Sequence, residues 1–236
     1  MRRFHQTEWH GIEFRSFAEL DPDSVAGPAF YDAFYEALFD RCHGWEDLDP
    51  RWRAAKDRVA ELIGSRLPGS RVLSLGCGLG YVEKRLLESF PEIEVTESGS
   101  TPLRWLAPLL KPGHAHVGPF PTCLDEGALY GLIYMSAVDY CFAQDEWVGL
   151  LREVRGRLEP SGRCLVISAS FEGRLAWMRA ALREAFVRLS WRERGQLWGF
   201  TRSRREHRSS LVAAGFGPVR DGFLEDGSYW IEGLKT

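Results

Sequence analysis

Three glycines at alternate positions, Gly76, Gly78 and Gly80, stand between an apolar run and an amphipathic one. Val72, Leu73 and Leu75 before them have the character of a short buried parallel strand. Tyr81-Val-Glu-Lys-Arg-Leu-Leu-Glu-Ser-Phe90 after them places Val82, Leu86 and Leu87 on one side of a helix. Glycine accepts positive φ and leaves no Cβ in the way of an approaching ligand. A helix starting directly behind such a turn offers unsatisfied N–H groups and the positive end of its dipole to a carboxylate or phosphate. Strand, glycine turn and helix in succession predict a nucleotide-sized pocket.

Ile93-Glu-Val-Thr96 reads as the next strand, and Glu97 closes it 17 residues after Gly80. An acid at the tip of a second strand sits where a ribose diol is held, which suits NAD as well as S-adenosylmethionine. The dinucleotide fingerprint needs one more glycine, and after Gly78 and Gly80 it would fall at Glu83. A long charged side chain there would crowd the close helix–strand packing that glycine permits. The tighter G-x-G-x-G run suits a ligand with no pyrophosphate.

The elements that must position this loop follow from periodicity and breakers. Residues 1–27 look irregular, with Trp9, Phe14 and Phe17 pinning the arm. Helices are predicted over 29–41 and from Pro50 to about Arg66, making residues 1–68 an N-terminal arm and helical leader. From residue 69 to 236 strands and helices alternate as one unit: strands at 114–117, 132–136 and 164–168, and helices at 102–110, 145–158 (Asp145 as N-cap), 173–194 and 203–214. Two extended segments, 219–223 and 229–234, close the chain as a hairpin. The predicted class is α/β: a doubly wound, mostly parallel seven-stranded sheet with an antiparallel C-terminal hairpin.

On these residues the sequence resembles the class I S-adenosylmethionine-dependent methyltransferases of the Rossmann-like, small-molecule type. Val72-Leu-Ser-Leu-Gly-Cys-Gly-Leu-Gly80 matches the first family motif and Glu97 the ribose-binding acid. Leu132-Ile-Tyr-Met-Ser136 matches the fourth strand, and Leu158-Glu-Pro-Ser-Gly162 with Cys164–Ser168 the Leu-Lys-Pro-Gly-Gly turn and fifth strand. Leu211-Val-Ala-Ala-Gly-Phe216 and the hairpin are also like the family's ending. The resemblance covers roughly residues 60–236. It implies S-adenosyl-L-methionine as cofactor, with Ser74, Gly76, Cys77, Gly78 and Gly80 around its methionine portion. Glu97 would hold the ribose hydroxyls, Ser98, Pro119 and Phe120 would flank the adenine, and Ser136 would close the site. Two departures stand out: many members carry an acid at the position of Ser74, near the cofactor's amino group, and another where Gly118-Pro119 stands.

Methyl transfer is an in-line displacement on a sulfonium, for which an enzyme supplies alignment, desolvation and, for a hydroxyl acceptor, a base. Asp139 and His207 are the base candidates. The acceptor would meet Tyr31, Tyr35, His43, Tyr140, Trp198 and Arg202, with Tyr31, Tyr35, His43 and Trp45 as lid, under a roof formed by the leader and the segment after the fifth strand. No Asn/Asp-Pro-Pro-Tyr/Phe follows the fourth strand, which disfavours the base-amine methylating version of the fold. The leading expectation is a small-molecule methyltransferase, oxygen favoured over nitrogen. The alternatives are a tRNA or RNA methyltransferase and a catalytically silent cofactor-binding scaffold.

Charge and composition frame these expectations. The net charge of −3 hides an arginine-rich stretch, residues 151–220, where fifteen arginines against six acids give +9. That bias would steer an anionic substrate or nucleic acid, unless the arginines form a solvated face. No run approaches the ~20 apolar residues of a membrane span, and the N-terminus carries no secretory pattern, so a cytoplasmic protein is expected, monomeric or homodimeric. Five scattered cysteines, and two histidines (His114 and His116) without a nearby third ligand, indicate no disulfide framework and no metal.

Overall fold

In a computed structural model, residues 1–168 and 195–236 are described; the helix expected over 173–194, and with it part of the expected roof, lies outside them. In chain order the elements are β1 (Arg2–Gln6), β2 (Glu8–Trp9), β3 (Ile12–Glu13), α1 (Pro28–Arg41), α2 (Pro50–Gly64), β4 (Val72–Leu75), α3 (Tyr81–Leu87), β5 (Ile93–Glu97), β6 (Ala115–Val117), β7 (Tyr130–Ser136), α4 (Gln144–Gly156), β8 (Leu158–Ser168), β9 (Gln196–Thr201), α5 (Arg204–Ala213), β10 (Val219–Phe223) and β11 (Tyr229–Leu234). Seven strands form one sheet in the order β10-β11-β8-β7-β4-β5-β6. The five from β6 to β8 run parallel; β11 is antiparallel to them, and β10, antiparallel to β11, returns to their direction at the edge.

Alternation along the strands divides the core between two faces. Val72, Ile93, Val95, Leu132, Tyr134 and Leu165 face the helical leader and α3, where Phe34, Leu38, Val59 and Ile63 cover them. Leu73, Leu75, Ile133, Met135 and Val166 face the other way onto Trp147, Leu151 and Val154 of α4 and Leu211 of α5. The leader therefore shares its core with the sheet.

Several local expectations are corrected. The arm is not irregular: β1 pairs antiparallel with β9, and β2 with β3. Two 3₁₀ turns, Thr101–Arg104 and Ala107–Leu109, replace the helix expected over 102–110, because Pro108 in its interior removes a donor and clashes with the preceding turn. The turn expected at 159–162 is absorbed into β8, with Ser161 at φ 63°. α4 begins one turn-residue early at Gln144, and Glu146 Oε2 accepts the Ala143 N–H at 2.8 Å, so Asp145 is inside the helix and not its cap.

Candidate functional site

Above the C-terminal ends of the parallel strands lies a cavity of about 770 Å³. Its floor is the glycine loop. Gly76, Gly78 and Gly80 have φ of 72°, 55° and 68°, left-handed values that make glycine the fitting residue at each. Gly78 N–H donates to Glu97 Oε2 at 2.8 Å, and Ser98 N–H to the other oxygen at 2.9 Å. The acid thus ties the loop to the tip of β5 while keeping further lone pairs on the cavity side. Burial pushes the Glu97 carboxyl above its ordinary range, and Asp32 adds to it. From behind, the buried Trp45 donates through Nε1 to Leu79 O at 2.8 Å and pins the loop.

Below the loop, Ser74 does not reach the cavity. Its Oγ donates to Glu83 Oε1 at 2.7 Å, and Tyr134 donates to the same oxygen at 2.8 Å. Glu83 is 2% exposed and borders the cavity, and burial raises its pKa. Lys56, from α2, borders it too and donates to Ser136 Oγ at 3.0 Å.

The opposite wall is aromatic. Tyr31 and Tyr35 come from α1, Trp198 from β9, Tyr140 from the turn after β7, and Phe4 and Trp9 from the arm. Trp198 stacks on Tyr140 at 6.3 Å between centroids and on Phe14 at 4.9 Å. Ser168, at the end of β8, borders the same space and donates to Asp139 Oδ2 at 2.7 Å. Asp139 is fully buried, and burial raises its pKa to about 6 against the pull of Ser168 and the Arg202 charge. His207 Nε2 lies 3.7 Å from Asp139 Oδ2, too far for a hydrogen bond. Burial, helped by Arg202, holds His207 at about 4, so its ring is neutral at neutral pH. Among the described residues neither His207 Nε2 nor Asp139 Oδ1 has a hydrogen-bond partner.

Arg202 organises this corner from outside the cavity. Fully buried, it donates to Asp139 O and Phe142 O, both at 2.5 Å. A lysine offers no fork to span two carbonyls. Arg202→Lys is therefore expected to destabilise the fold by about 1–3 kcal/mol, read as a lowered urea midpoint; an unchanged midpoint would show that the two carbonyls are held by other means.

A family profile described as a methyltransferase domain matches residues 45–216. The chain belongs to the methyltransferase domain family. No curated protein matches the sequence. Solved structures share the fold at low identity. A candidate O-methyltransferase from Nostoc punctiforme is 17% identical with a TM-score of 0.65, over 94% of this chain and 66% of that one. Human N-acetylserotonin methyltransferase in complex with S-adenosylmethionine is 17% identical with a TM-score of 0.60, over 89% and 56%. CalS10, an amino pentose methyltransferase from Micromonospora echinaspora bound to S-adenosylmethionine, is 19% identical with a TM-score of 0.54, over 86% and 97%. The chain thus spans about two thirds or less of the first two. The resemblance to the class I S-adenosylmethionine-dependent enzymes holds at the level of family and fold.

The residues present fit S-adenosylmethionine. A Cβ at Gly76 would meet Val138 Cγ2 at 2.8 Å and one at Gly78 the Tyr35 hydroxyl at 3.1 Å, so the cradle is shaped by missing side chains. Of the residues assigned to the cofactor, Gly76, Cys77, Gly78, Gly80, Glu97, Ser98, Pro119, Phe120 and Ser136 border the cavity; Ser74 stands behind Glu83. Of those assigned to the acceptor, Tyr31, Tyr35, Tyr140 and Trp198 border it. His43 does not: it is exposed, its N–H held by Asp47. Arg202 is spent on backbone carbonyls, and Trp45 is a clamp and not a lid. Asp139 and His207 come together one layer behind the wall. Sequence reading missed Glu83, Lys56 and Ser168 as site residues. Among the described residues no cluster of metal-ligating side chains forms, and His116 instead meets Glu94 at 2.9 Å. No described helix is long and apolar enough to cross a membrane.

Proposed function

We propose that this domain transfers a methyl group from S-adenosylmethionine to a hydroxyl oxygen on a small molecule with a flat apolar face. One observation carries the reading: a single cavity joins the glycine cradle and Glu97 to the aromatic wall of Tyr31, Tyr140 and Trp198, with Ser168 backed by Asp139 on its border. S-adenosylmethionine, when bound, supplies a methyl group activated by its sulfonium.

The chain's own tasks are alignment, exclusion of water and handling of one proton. The rings give a planar acceptor stacking surfaces. Ser168 Oγ receives the acceptor's hydroxyl proton as its own passes to Asp139 Oδ2, along the 2.7 Å bond already formed. Asp139, with its pKa near 6, is ionised at neutral pH and ready to receive it. His207, neutral and 3.7 Å from the same Oδ2, adds no positive charge beside that carboxylate, and the proton stays on Asp139 until the site opens to water.

The solved neighbours include an O-methyltransferase by description, which supports oxygen as acceptor. A strongly anionic substrate draws less support, because Lys56 is the one lysine or arginine among the described lining residues. Nucleic acid draws less as well. Arg152, Arg155, Arg157, Arg163 and Arg202 are spent on backbone carbonyls, and Arg204 with Arg208 on Asp221. The remainder of the stretch falls largely outside the described residues.

Calorimetric titration with S-adenosylhomocysteine is expected to show one binding site. Incubation with methyl-labelled S-adenosylmethionine and a panel of phenols and hydroxylated heteroaromatics is expected to yield singly methylated products by mass spectrometry. No heat and no thermal protection at millimolar S-adenosylhomocysteine would sink the reading.

A further inference from the structure

Glu83 and Lys56 carry opposite charges and border the same cavity, yet no ion pair joins them. Each is bonded to neutral hydroxyls. Glu83 Oε1 takes two O–H donors, Ser74 on β4 and Tyr134 on β7, and Lys56 Nζ donates to Ser136 at the end of β7. Neutral donors orient a carboxylate without balancing it, and a buried carboxylate with no cation at contact distance is costly. Burial accordingly raises the pKa of Glu83 and lowers that of Lys56, and each charge partly offsets the other's shift from a distance. Two opposite charges fixed apart on the border of one cavity, each steadied by strand hydroxyls, make a receptor for a zwitterion.

The glycine loop is adjacent. Ser74 stands two residues before Gly76, and Glu83 three after Gly80. We propose that Glu83 and Lys56 grip the α-amino-acid end of the cofactor, Glu83 taking its ammonium and Lys56 its carboxylate. This rests on the S-adenosylmethionine reading above. Ser74 then acts through Glu83 as a positioning residue: the acid missing from β4 is delivered by α3. The leader helix α2 becomes part of the cofactor site.

Charge supports the assignment. Among the described residues bordering the cavity, Glu83, Glu97 and Lys56 are the charged ones and leave one negative charge over. The cofactor's sulfonium, ammonium and carboxylate leave one positive charge over, and the demethylated product leaves none. The site is matched to the methyl donor.

The test uses the intact protein and three ligands in calorimetry: S-adenosylhomocysteine, its decarboxylated analogue, and methylthioadenosine, which lacks both the amine and the carboxylate. Wild-type protein is expected to prefer the first over the last by about 100-fold, roughly tenfold for each charge-assisted contact. Glu83→Gln should cost about tenfold with both amine-bearing ligands and nothing with methylthioadenosine. Lys56→Met should cost about tenfold with S-adenosylhomocysteine alone. Each preference is read within one protein, so lowered stability does not mimic the effect; if Glu83→Gln fails to fold, wild-type protein and Lys56→Met still decide. Equal affinity for all three ligands in wild-type protein, or unchanged preferences in the variants, would overturn the grip and leave the cofactor reading standing. Binding of none of the three would overturn both.

Discussion

Asp139→Asn is expected to lower methyl transfer by about 10²–10⁴-fold, the range for loss of a positioned proton acceptor, while S-adenosylhomocysteine affinity stays within about twofold. The wild-type rate should rise with pH through about 6, where the buried Asp139 carboxyl loses its proton, and that limb should vanish in the variant. A residue that merely supported the turn would lower activity without erasing the limb. The same substitution has a signature in stability. Asp139 is raised from 3.8 to about 6, so the folded state binds the extra proton; its contribution is present below about pH 4 and lost as pH rises through 6. His207 is lowered from 6.5 to about 4, so the unfolded state binds the extra proton; its contribution is present above 6.5 and lost as pH falls through 4. Each amounts to roughly 3 kcal/mol with opposite sign. The pair therefore leaves wild-type stability nearly flat between pH 4 and 6. In Asp139→Asn the His207 slope is unmasked, and urea midpoints should climb steeply from pH 4.5 to 7. Equal slopes in the two proteins would remove Asp139 from this role.

Gly80→Ala should be the most damaging single change in the loop. Gly80 sits at φ 68°, and a Cβ there would lie 2.5 Å from Leu106 Cδ2 and 2.7 Å from Leu106 Cβ. Leu106 is fully buried and has no room to retreat. A left-handed alanine costs about 1–2 kcal/mol and overpacking about 1–3, so the fold should lose roughly 2–5 kcal/mol. For a chain of this size that corresponds to a melting temperature lower by roughly 5–15 °C. Gly127→Ala is the control: its φ is 78°, but nothing lies within 4 Å of the added carbon. Equal losses in the two variants would mean that Leu106 yields and that only the backbone term is felt.

How much of this was legible in the sequence depends on how local the determinants are. The parallel strands and the glycine loop were readable because alternation and positive φ are local properties of the chain. Pairing of β1 with β9 was not: Arg2-Arg-Phe-His-Gln6 is polar, and its partner is remote, so nothing nearby marks it as a strand. Two site residues left a trace that composition obscures. Lys56 falls on the apolar stripe of α2, four residues after Trp52 and three before Val59, and Glu83 falls on that of α3, three before Leu86. A charge on a buried stripe asks for a partner, and both point into the cavity region. Asp139 and His207 were each recognisable as titratable groups near the acceptor end. Their 3.7 Å approach depends on α5 folding back beside the turn after β7, which only the tertiary fold supplies.

The arm carries a consequence for how the molecule is made. Phe4 and Gln6 border the cavity, and they are held there by a strand whose partner begins at Gln196. Thr201 Oγ1 reaches Arg2 O across a separation of 199 positions. During synthesis residues 2–6 must wait unpaired until residues 196–201 exist, and closing so long a loop is entropically late. The five parallel strands and the glycine loop all precede Gln196 in the chain and can form before that moment; the β10–β11 hairpin follows it. The glycine loop and the arm's share of the cavity wall are thus completed at different points of synthesis.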